Sequence, residues 1–101
     1  MKVKAFVIAI VLAFSTQANA EVDRLQACQK LYSTASNVMT LRQAGYPLGD
    51  LLEKSPDIKI VRHIILSAYS KPIYEHGRHK RKMINNFSQN VYTNCVKAGS
   101  L

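Results

Sequence analysis

The chain has 101 residues, 48% of them hydrophobic and 20% charged, with 14 Lys+Arg against 6 Asp+Glu for a formal net charge of +8. That size and balance exclude a multidomain enzyme, a low-complexity disordered chain and a multi-pass membrane protein. They name no reaction; they bear on where the chain goes, how it folds and which of its surfaces is unusual.

Residues 1–20 have the layout of a secretory signal peptide. Lys2 and Lys4 precede an apolar run from Ala5 to Phe14, and Ser15 to Ala20 is small and polar, with Ala18-Asn19-Ala20 as the A-x-A-like site. Cleavage after Ala20 is the expectation. A retained anchor is the alternative, but ten apolar residues make about 15 Å of helix against a membrane core of about 30 Å. Cleavage leaves residues 21–101 as one small helical domain, with 12 basic against 6 acidic side chains and a net charge of +6. Such a chain buries only about 60 to 65% of its unfolded surface, so a covalent staple would matter. Cys28 and Cys95 are the two cysteines, and in an oxidising compartment they read as one disulfide. A metal site or a redox pair is the alternative, and neither has its usual local C-x-x-C spacing here.

In chain order, Val22 to Ala44 repeats apolar residues at three- and four-residue steps (Leu25, Cys28, Leu31, Tyr32, Ala35, Val38, Met39), which predicts an amphipathic helix. Gly45 is placed to close it in the left-handed conformation, Tyr46-Pro47 turns the chain, and a short helix follows from about Pro47 to Lys54. Ser55-Pro56-Asp57 reads as a helix start: a capping hydroxyl, a proline at the first helical position and an acid facing the dipole. The third helix should turn Ile58, Val61, Ile64, Ile65, Ala68 and Tyr69 inward and stop near Ser70 ahead of Pro72. With Ile60 and Leu66 it is apolar around most of its circumference, so it is expected at the centre. After a loop from Lys71 to Gly77, a fourth helix runs from about Arg78 to Lys97, with Met83, Ile84, Phe87, Val91 and Cys95 on one face. The β-branched run around Ile60 and Ile64 would also suit a strand, but it sits within a 3.6-residue period and no hairpin signal flanks it. The reading is all-α: three longer helices and one short one. Antiparallel packing of the first on the last would bring the cysteines together.

Four constellations bear on chemistry. The first is basic: Lys71, Arg78, His79, Lys80, Arg81 and Lys82 lie in a stretch whose only acid is Glu75. Such a cluster attracts an acidic protein surface, or an anionic envelope lipid or polymer. Export and the scarcity of interleaved aromatics disfavour nucleic acid, and a solvated helix start is the bland reading. Yet positive charge at a helix N-terminus opposes the dipole, a cost with no return visible in the sequence. The second is the histidines, His76 and His79 beside Glu75 and His63 on the third helix. Gly77 interrupts the first pair, so no metal is expected, and His63 reads as partly buried with a satisfied ring nitrogen. The third is catalytic. No G-x-S-x-G elbow or isolated carboxylate pair is present, and the cysteines are engaged with each other, so neither catalysis nor a cofactor is expected. The fourth is Arg42, which continues the first helix's apolar stripe; Asp50 or Glu53 just after the turn are its expected ion-pair partners, with anion binding the alternative.

Taken together, Cys28, Met39 with Arg42-Gln43-x-Gly45, Ala68-Tyr69-x-x-Pro72, Phe87 and Cys95 resemble a group of short secreted proteins of Gram-negative bacteria and their prophages. The resemblance covers most of the chain after Ala20. It implies an exported, disulfide-tied helical domain rather than an activity, and it transfers no functional residue.

The sequence therefore predicts an exported helical binding protein without catalytic activity that engages a protein partner, of immunity, inhibitor or envelope-component type, through the basic stretch. Binding of envelope anions is the alternative.

Overall fold

The computed structural model describes the backbone of residues 2–98 and the side chains of residues 22–98. Four helices make up the fold, α1 (Lys2–Gln43), α2 (Leu48–Lys54), α3 (Lys59–Tyr69) and α4 (Gly77–Ala98), and no strand occurs among the described residues. The all-α reading holds. The side chains of the expected export segment lie outside the described ones. Among the described residues no helix is long and apolar enough to cross a membrane.

The long pairing is α1 against α4. Cys28 and Cys95 are joined, with Cα atoms 5.6 Å apart. One turn further in, the rings of Tyr32 and Tyr92 meet edge to face at 6.1 Å, a favoured aromatic geometry. Ala35 and Ser88 are both fully buried where the two backbones pass, and the Ser88 hydroxyl is satisfied inside its own helix by donating to the Ile84 carbonyl at 2.8 Å. At the far end the Lys80 ammonium donates to the carbonyl of Gln43 at 2.6 Å. Each step forward along α1 is matched by a step back along α4. Cys28 to Gln43 and Lys80 to Cys95 are each fifteen residues, about 22 Å of helix.

The turn after α1 forms as its glycine predicts. Gly45 has φ +83°, its N–H donates to the Arg42 carbonyl at 3.0 Å, and the Tyr46 N–H reaches back to Leu41 at 2.9 Å. This pair of bonds is the Schellman motif, which satisfies carbonyls that a helix end leaves over. Tyr46 and Leu41 both pack on the core edge, the apolar contact that accompanies the motif.

Two expectations are corrected. Ser55 does not cap α3: its hydroxyl and its N–H both donate to the Leu51 carbonyl, closing α2 instead. The chain then makes a tight turn in which the Ile58 N–H donates to Pro56, and α3 starts after Ile58 with no side-chain cap. Asp57 pairs on the surface with Arg62. Nor is α3 the central helix. Ile64, Ile65 and Ala68 are buried, but Ile58, Ile60 and Leu66 are 49%, 41% and 49% exposed. The helix at the centre is α1, against which both α3 and α4 pack, while α2 rests on α3. The core joins Ala35, Val38 and Met39 of α1 to Leu51, to Ile64, Ile65 and Ala68, and to Phe87.

The disulfide closes a separation of 67 residues, so on the chain-entropy account its loss costs about 4 kcal/mol. Denaturant unfolding of the oxidised chain against Cys28→Ser/Cys95→Ser should show that difference as a lower midpoint. Coincident curves would mean that the link holds nothing together.

Candidate functional site

Among the described residues, side-chain hydrogen bonds between distant parts of the chain gather at the end of α1. Gln43 lies on the helix's apolar stripe, one turn beyond Met39, and is 3% exposed. Its amide nitrogen donates to the Pro72 carbonyl at 2.8 Å and its amide oxygen accepts from the Tyr74 N–H at 2.9 Å. One side chain thus holds both sides of the loop between α3 and α4, while its own carbonyl takes Lys80. Arg42 completes the clamp by donating from Nε to the Lys71 carbonyl at 3.0 Å, with its guanidinium 5.2 Å from the centre of the Tyr69 ring. This corrects the expected ion pair: Arg42 is spent on the loop and on Tyr69, and neither Asp50 nor Glu53 is joined to it. The Tyr69 hydroxyl donates to the Tyr46 carbonyl at 2.6 Å, and Lys54 donates to the Tyr46 hydroxyl at 3.0 Å.

The basic stretch is divided by this arrangement. Lys80 is half-buried and structural, a cation at the negative end of the α1 dipole, which supplies the return that the sequence did not show. The remaining cations are exposed. Arg78, His79 and Arg81 line, with His76 and Gly77, a concavity of about 470 Å³. His79 and Lys82 line an adjoining hollow of about 260 Å³ with Tyr74, Met83 and Asn86. His79 stands between the two, edge-on to His76 at 5.7 Å and to Tyr74 at 5.9 Å. The Arg81 guanidinium folds back over Gly77, where an added Cβ would sit 3.3 Å from it. Among the described residues, the side chains of Arg78, Arg81 and Lys82 have no hydrogen-bond or ion-pair partner.

Lys71 is not part of this surface. It lies at a third concavity, a groove of about 450 Å³ between α3 and α4 whose floor includes Leu31 of α1. His63 is there too, exposed rather than partly buried as expected. Ser67 lies one turn beyond His63, yet no hydrogen bond joins them, and among the described residues no carboxylate lines the groove to orient the imidazole, so these residues do not assemble a nucleophile and base. Among the described residues no three His, Cys, Asp or Glu side chains gather as a metal site would need. No protein family, curated protein or solved structure matches the chain.

Two predictions test the clamp. Gln43→Leu leaves Pro72 and Tyr74 without their partner and should cost about 1–3 kcal/mol, with the Tyr74 amide exchanging faster in hydrogen-exchange NMR; unchanged exchange would remove Gln43 from the clamp. Burial holds the Tyr69 phenol above its ordinary value of 10.0, against the lowering effect of Arg42 and with a further rise from Tyr46. Because the folded-state value is raised, the associated stability is complete below about pH 10 and is lost as pH rises through the folded value. The advantage of wild type over Tyr69→Phe, about 1 kcal/mol for the bond to Tyr46, should narrow in denaturant titrations above that pH, and a constant gap would contradict it.

Proposed function

We propose that this chain is an exported helical binding protein without catalytic activity, engaging an acidic protein partner of immunity, inhibitor or envelope-component type through the surface at the start of α4. The disulfide itself belongs to an oxidising, non-cytoplasmic compartment. A signal peptide over residues 1–20, cleaved after Ala20, would deliver the chain to the periplasm or the medium. The observation that carries the reading is the division of the basic stretch. The fold uses Lys80, whereas Arg78, Arg81 and Lys82 stand exposed around two adjoining hollows in the first two turns of α4, Arg78 in the first turn where a cation opposes the dipole. Exposed cations grouped in that position suit an acidic counterpart, which would be steered in by charge.

A second reading, binding to an anionic lipid or polymer of the envelope, draws on Ile73. That side chain is 46% exposed in the loop that leads to Arg78, and an exposed apolar group close in sequence to cations is a pattern of membrane-surface contacts.

The test is the triple variant Arg78→Ser/Arg81→Ser/Lys82→Ser, which leaves Lys80 in place. Its melting point should stay close to wild type, while recovery of a specific partner from envelope extract should fall roughly tenfold or more. Equal recovery of every partner would overturn the surface assignment. Salt-sensitive binding to anionic but not neutral vesicles, lost in the same variant, would favour the second reading.

A further inference from the structure

We infer that the groove between α3 and α4 is a binding site for an amphipathic carboxylate, its alkyl chain lying on the apolar floor and its anionic head at Lys71. The groove exists because α3 and α4 both pack on α1 rather than closely on each other, which leaves a wedge between them. Its volume of about 450 Å³ falls within the range of small-molecule sites, which are mostly apolar with a few placed polar groups. The floor is Leu31, Ile64, Phe87 and Val91. From Phe87 to Ala98 the α4 wall is about 16 Å long, the reach of a twelve-carbon chain.

The polarity of the lining selects the head group. Lys71 follows the end of α3, so its exposed ammonium stands at one end of the row that Ile60, His63 and Ser67 form along that helix. Among the described residues no carboxylate lines the groove, so Lys71 sets the charge of the described lining and favours an anion. Asn90 on the opposite wall adds a neutral amide at the rim. A second copy of this chain would set one cationic surface against another. A protein surface would need about 800 Å² of contact from each partner, more than so small a hollow supplies. The site is separate from the surface at the start of α4, so the two proposals stand or fall independently.

Sodium dodecanoate below its micellar concentration is the probe, titrated into the oxidised chain and followed by amide shifts in ¹⁵N-labelled protein. Saturable shifts should be confined to groove positions such as His63, Ser67 and Asn90. Lys71→Glu and Ile60→Asp, both at exposed positions, should each weaken binding roughly tenfold with unchanged circular dichroism. Leu66→Asp, on α3 but outside the groove, should bind as wild type, and dodecanol should bind more weakly than dodecanoate to wild type and equally to wild type and Lys71→Glu. Absence of saturable shifts, or equal binding of dodecanol and dodecanoate, would overturn the inference. So would a loss in Leu66→Asp matching that in Ile60→Asp, or coverage of the same amides by self-association or by a poly-glutamate peptide instead.

Discussion

The antiparallel register of α1 on α4 is the constraint from which the rest of the molecule follows. A covalent bond fixes it at one end, through Cys28 and Cys95, and a charged hydrogen bond fixes it at the other, through Lys80 and the Gln43 carbonyl. Between them lie the Tyr32–Tyr92 pair and the small residues Ala35 and Ser88, which let the helices approach. A slip of one helical turn would separate the cysteines, part the tyrosine rings and leave the Lys80 ammonium and the Gln43 carbonyl without each other. Small domains have thin cores, and here the register does not rest on apolar burial alone.

The second anchor also organises the loop. With α4 held by Lys80, the chain from Tyr69 to Gly77 must pass the end of α1, where Arg42 and Gln43 take three of its backbone groups. Three carbonyls at that helix end are satisfied, by Gly45, Tyr46 and Lys80. The loop in turn sets where the exposed cations begin. Arg78, Arg81 and Lys82 follow directly, projecting from a helix whose start is tied down, so the proposed partner surface is presented on a braced element.

Much of this was legible in the chain. The three- and four-residue spacing indicated the buried faces of α1 and α4, Gly45 marked its turn, and two cysteines behind what reads as an export signal implied their bond. Ser55-Pro56-Asp57 misled because a serine hydroxyl can close the helix before it as readily as cap the one after, and nothing local decides between them. Ile60 and Leu66 misled because apolar type does not ensure burial; only the packing of α3 against α1 and α2 shows which side is covered. Gln43 left a signal that residue type obscured, since it stands one turn beyond Met39 on the stripe that includes Cys28 and Ala35. Its partners at Pro72 and Tyr74 are about thirty positions away, beyond the reach of any local pattern. Lys80 was hidden by its charged neighbours.

The proposed functions rest on what the fold leaves unused. Lys80 is consumed by architecture, the other cations of the stretch are not, and a groove remains where α3 and α4 diverge. All of this depends on the register, which through-space proton contacts in the oxidised chain test most directly. The account predicts cross-peaks between the Tyr32 and Tyr92 rings, together with contacts from the Lys80 side chain to the end of α1 at Gln43. Pairing of Tyr32 with residues one turn away on α4, or no contact between Lys80 and the Gln43 region, would contradict it.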